Sequence, residues 1–107
     1  MRITITARHC DLADELRIRA RALLARLERI APRPHDARIL FVADNGRPLV
    51  EVRLHAARGV LHVAKARGND HRTALDAAVA KVRRQLDKSP IRRRAGHGRR
   101  ARTRELR

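Results

Sequence analysis

What most constrains this chain is the order in which its hydrophobic period changes along the sequence. Arg2 to Arg8 alternates, with Ile3, Ile5 and Ala7 on one side and Thr4 and Thr6 on the other, the period of two expected of a half-buried strand. Leu16, Ala20, Leu23, Leu24, Leu27 and Ile30 then recur at helical spacing. Asp11 is the expected N-cap, Asp14 and Glu15 place negative charge in the first turn, and Pro32 and Pro34 stop the helix. Arg38 to Ala43 is a short apolar run suited to a strand, and Asp44-Asn45-Gly46 signals a hairpin because Asn and Gly tolerate positive φ. Leu49 to His55 alternates again, with Val50, Val52 and Leu54 inward. Arg58-Gly59 turns the chain into a third consecutive strand beginning Val60-Leu61-His62-Val63-Ala64. Gly68-Asn69-Asp70 breaks that strand and caps a second helix, which buries Ala74, Leu75, Ala78, Val79, Val82 and Leu86 and ends before Pro90.

Strand, helix, three strands, helix is an α+β order. Hairpins join the last three strands antiparallel, and the first strand reaches the sheet by a helical crossover. Each helix has a single apolar stripe, so both should cover one face of a four-stranded sheet. The other face, carrying Thr, Arg, Glu and His, should be open. The expected domain is therefore a two-layer β-α-β-β-β-α unit over residues 1–89, followed by a basic, flexible tail over residues 90–107.

The 107 residues suffice for one domain, and Phe41 is the only aromatic residue. Aliphatic side chains must build the core, and the shortage of aromatics weakens any reading in which RNA bases stack on a Phe/Tyr platform. No apolar run is long enough to span a membrane, the N-terminus has no signal-peptide character, and a cytoplasmic protein is expected. A single cysteine, Cys10, excludes an internal disulfide framework.

The net charge is +16, from 27 basic and 11 acidic residues, and it divides into +9 on residues 1–89 and +7 on residues 90–107. The tail holds eight arginines against Glu105 and has too few apolar residues to fold alone. Such a run reads as an arginine arm on a polyanion. Only three basic residues are lysines, so the preference for arginine can equally reflect genome composition.

Catalytic chemistry finds no support. His55 and His62 are expected to face each other across a hairpin as a surface polar pair, with no third ligand at zinc-site spacing. HExxH, GxSxG and phosphate-loop motifs are absent. Cys10 precedes a helix N-terminus but has no recognisable His or Asn partner, and reads as a small filler. Asp76, beside the apolar stripe of the second helix, is the acidic residue least accounted for. No enzyme activity, cofactor, metal or small-molecule substrate is expected.

The second helix is more informative. Lys81, Arg84 and Lys88 fall at i, i+3 and i+7 and form a basic ridge, with Arg83 to its side. The ridge runs into Arg92, Arg93 and Arg94 of the tail. A continuous positive track of this kind suits a phosphate backbone, and A-form RNA is read by shape and phosphate.

With these residues in place, the chain resembles the ribosome hibernation promoting factors, also called ribosome-associated inhibitor or sigma-54 modulation proteins, over roughly residues 1–89. Ile3-Thr4-Ile5-Thr6 followed by Leu12…Leu16-Arg17 is similar to the family's first strand and helix start. Leu54-His55 and Leu61-His62-Val63 match its last two strands. Asp70, Ala74-Leu75-Asp76 and Lys81-Val82-x-Arg84-Gln85-Leu86-x-Lys88 are similar to its second-helix signature. The resemblance implies a fold like double-stranded-RNA-binding domains. It also implies a factor bound to small-subunit rRNA in the ribosome's mRNA and tRNA channel, inhibiting translation in stationary phase or stress. On that likeness Lys81, Arg84 and Lys88 stand at the family's basic positions, while Arg83, Arg92, Arg93 and Arg94 are rRNA-contact candidates from charge alone.

Several positions depart from the pattern. Arg72 stands where the family has an aromatic residue and Ala80 where it has an acidic one. The second hairpin loop is short, and Pro90 and an Arg-rich tail replace a lysine-rich helical end. Long family members carry a second, dimerising domain that these 107 residues lack, so a monomer is expected, and ribosome binding carries over better than ribosome pairing. The alternatives are a general nucleic-acid-binding protein working through its tail, or a regulatory module for an acidic protein partner.

Overall fold

In the computed structural model, which describes residues 1–88, the elements follow the order read from the periodicity. They are β1 (Arg2–Arg8), α1 (Asp14–Ile30), β2 (Asp36–Asp44), β3 (Arg47–His55), β4 (Leu61–Arg67) and α2 (His71–Lys88). The sheet order is β1-β2-β3-β4. β1 pairs parallel to β2 through the α1 crossover, and the β2–β3 and β3–β4 pairs are antiparallel. The proposed tail lies outside the described residues.

The turns account for this path. Asn45 (φ 54°) and Gly46 (φ 76°) both take the left-handed conformation demanded by a two-residue hairpin whose twist matches its strands. A 3₁₀ turn, Ala57–Gly59, joins β3 to β4, with Arg58 at φ 63° and Gly59 at φ 71°. α1 ends where the Ala31 N–H donates to the Leu27 carbonyl at 2.9 Å, just before Pro32.

Both helices pack on one sheet face, and the core lies between the layers. Leu24 and Leu27 of α1, Leu75, Val82 and Leu86 of α2, and Ile39, Phe41, Val50, Val52 and Leu54 of the sheet are essentially inaccessible. Fully burying one such side chain contributes about 1.5–3 kcal/mol. Cys10 packs against this core, its Sγ 3.6 Å from the Phe41 carbonyl oxygen.

Three local expectations are corrected. Asp11 does not cap α1: the helix starts at Asp14, and its N-cap, Ala13, contributes no side-chain hydrogen bond. His55 and His62 do not face each other, because the register sets His55 opposite Leu61 and His62 opposite Leu54. His62 therefore points under the helices and is buried, whereas His55 sits on the opposite face, its Nδ1 2.9 Å from Asp36 Oδ1. The open face is also less polar than alternation implied. Leu40, Val42, Leu49 and Val63 lie half-buried on it, among Thr4, Thr6 and the charged residues.

Candidate nucleic-acid interface

The geometry of the second helix begins at its N-terminus. The Thr73 N–H donates to Asp70 Oδ1 at 2.7 Å, closing the first turn as a side-chain cap. That bond, made to the charged form, holds the Asp70 carboxyl below its ordinary range. At the same end, His71 lies edge-on to Phe41 with ring centroids 5.7 Å apart, and its Nε2 is 3.0 Å from the Val42 carbonyl oxygen. α2 is thus anchored at its start, which fixes the rotation of everything downstream.

With that rotation set, Lys81, Arg84 and Lys88 all emerge as exposed side chains on one ridge. Lys81 has a second engagement that its spacing did not reveal: its Nζ donates to the Lys65 carbonyl at 2.8 Å. One turn on, Gln85 Nε2 donates to the Val63 carbonyl at 2.8 Å. These two bonds cap outward carbonyls of β4, the edge strand. Two of the signature residues therefore hold the helix to the sheet. Arg84 and Lys88 make no ion pair with any described residue.

Arg83 is exposed on the other flank of α2, beside α1. There it lines a shallow groove with Arg19, Leu23, Arg26, Asp76 and Val79. Asp76 finds its explanation in this groove. Arg19 Nε donates to its Oδ1 and Nη2 to its Oδ2, both at 2.9 Å, a bidentate bridge between the helices. The bridge raises the Arg19 pKa further, the hydrogen bond to Asp76 being the main cause. Spacing alone did not single out Arg26, which needs the α1–α2 packing to be placed opposite Arg83. Arg92, Arg93 and Arg94 lie outside the described residues. Among the described residues no cluster of His, Cys, Asp or Glu could hold a metal ion. No described helix is long and apolar enough to cross a membrane.

The sequence and the fold both have known counterparts. A family model described as sigma 54 modulation protein / S30EA ribosomal protein matches residues 3–94, which takes in the whole of α2 and Arg92–Arg94. The chain belongs to this family. The sigma 54 modulation protein / S30EA family is one of ribosome-associated factors and not of enzymes. A search of curated proteins finds no match. Among solved structures, a ribosomal subunit interface protein from Coxiella burnetii is similar at TM-score 0.71 and 24% identity, covering 82% of this chain and 96% of that one. The N-terminal domain of Protein Y from Thermus thermophilus is similar at TM-score 0.68 and 23% identity, covering 79% and 94%. At these identities the likeness is one of fold, and it agrees with the β-α-β-β-β-α architecture of the S30EA family member described above.

Proposed function

We propose that this chain is a ribosome hibernation factor that occupies the mRNA and tRNA channel of the small subunit and blocks translation in stationary phase or stress. The observation that carries the reading is a family match running through α2, where Arg84 and Lys88 stand exposed and unpaired among the described residues. In that role Arg84 and Lys88, with the charge of Lys81, contact rRNA phosphates. Arg83 and Arg92–Arg94 add charge beside and beyond the ridge. The solved neighbours, one of them a ribosomal subunit interface protein, support the same reading. It needs no catalysis, because occupancy of the channel is the inhibition.

Co-sedimentation with small subunits tests it. Arg84→Glu with Lys88→Glu should abolish co-sedimentation at physiological salt while leaving the fold intact. Lys81 is left unchanged in this variant because of its bond to Lys65. Retained binding would remove the ridge from the site. In cells, the protein should migrate with ribosomal particles in sucrose gradients of stationary cultures, and finding it only at the top would refute the reading. Nuclease-resistant capture by an acidic protein would point instead to a regulatory module.

A further inference from the structure

The open face of the sheet lies on the far side of the domain from α2, and its charges are unevenly committed. It carries three acidic side chains, and all three are engaged. Asp36 is bonded to His55 at 2.9 Å, Asp44 to Arg67 at 2.6 Å, and Glu51 lies 3.6 Å from Arg53 and 3.9 Å from Lys65. Four further arginines on that face, Arg2, Arg8, Arg38 and Arg47, make no ion pair with a described residue. The register adds a second observation: Arg38 on β2 stands directly opposite Arg53 on β3. Like charges at directly opposed positions of an antiparallel pair repel. The pair is flanked by Thr4 on β1 and Val63 on β4, and the carboxylates nearest it lie in neighbouring rows: Glu51 at 3.6 Å from Arg53, and Asp36, whose charge acts on Arg38 and Arg2 from beside its bond to His55.

We propose that this open face, centred on Arg38 and Arg53, is a second surface for RNA backbone. The domain then grips two RNA segments at once, one on the α2 ridge and one on the sheet. A phosphodiester placed over the two guanidiniums turns their repulsion into two charge-assisted hydrogen bonds. The half-buried Leu40, Val42, Leu49 and Val63 form an aliphatic floor without an aromatic ring, which offers a sugar a non-polar contact but a base no stacking partner, while the arginines around it take the phosphates. A protein partner fits less well, because protein interfaces centre on desolvated aromatic anchors and shed charge at their core. The proposal rests on the hibernation-factor reading only for the identity of the RNA.

The experiment measures affinity for isolated small subunits across a salt series. It compares the full chain with Arg38→Gln/Arg53→Gln, with Arg84→Gln/Lys88→Gln, and with all four changes combined. Thermal melts confirm that each variant folds. The sheet variant should bind about tenfold more weakly, with a log–log salt slope shallower by about 1.4–1.8, as two lost phosphate contacts require. A photo-crosslinker at Thr6, on the open face, should attach to RNA. Wild-type affinity and slope in the sheet variant, alongside lost binding in the ridge variant, would overturn the sheet surface and leave the ridge standing. If the unmodified chain fails to bind small subunits, the hibernation reading falls. The same four proteins on a twelve-base-pair RNA duplex then decide the sheet surface separately. Crosslinking from Thr6 to an acidic protein instead of RNA would also overturn it.

Discussion

Phe41, the only aromatic residue in the chain, is fully buried beneath α2 and braces His71 edge-on. Replacing it with Ala should cost about 3–5 kcal/mol, a large share of the roughly 5–15 kcal/mol that holds a domain together. Urea denaturation would show this as a matching fall in midpoint, and an unmoved midpoint would contradict the packing. Asp70 makes a prediction in pH. Its carboxyl is held below the ordinary value by the Thr73 N–H, so the cap stabilises the fold fully above the unfolded value. That contribution is lost as pH falls through the lower, folded value. The melting temperature of Asp70→Ala should therefore trail the unchanged protein near neutrality, and the gap should narrow only below about pH 4. This cap was legible in Gly68-Asn69-Asp70, where a polar side chain directly precedes the helical run. Asp11 misled because two residues, Leu12 and Ala13, separate it from Asp14, leaving Ala13 at the cap position. His62 misled because β4 is apolar at both parities. Its inward face is built from Ala64 and Ala66, small residues that let α2 approach, while the larger Leu61 and Val63 face away from the helices.

At the scale of the element, the hairpins and helix stripes were legible because each is set by neighbours in sequence. The side chains that fasten α2 to β4 were not, because their partners are backbone carbonyls more than a dozen residues away. Lys81 and Gln85 cover the carbonyls through which an edge strand recruits another chain. Replacing both with Ala should leave the core unchanged but promote self-association through β4, seen as a concentration-dependent rise in sedimentation coefficient. A variant that stays monomeric at high concentration would show that the two bonds do not protect the edge. The same geometry explains why Lys81 is a poor choice for testing RNA contact by charge reversal. Its loss would mix a binding effect with a packing effect.

For the described domain, the net charge of +9 carried by residues 1–89 is distributed over both layers rather than gathered on one face. The helical half of this was legible from the spacing of Lys81, Arg84 and Lys88, since helix periodicity places them without tertiary information. The sheet half was hidden, because Arg38 and Arg53 become neighbours only through the β2–β3 register. Binding to ribosomal particles should weaken steeply with salt, by about 0.7–0.9 log units per phosphate contact for each tenfold rise in salt. A salt-insensitive complex would argue against phosphate as the ligand. The Arg19–Asp76 bridge carries one further consequence, in kinetics. It joins side chains 57 positions apart and waits on α2, the last element of the described chain. A contact that must wait for so long a loop to close is expected after the folding barrier, where its loss raises the unfolding rate and spares the folding rate. Arg19→Ala should then raise the unfolding limb of a chevron and leave the folding limb where it was. If the proposed hibernation role holds, the persistence of the folded factor through a long dormancy draws in part on that one bridge.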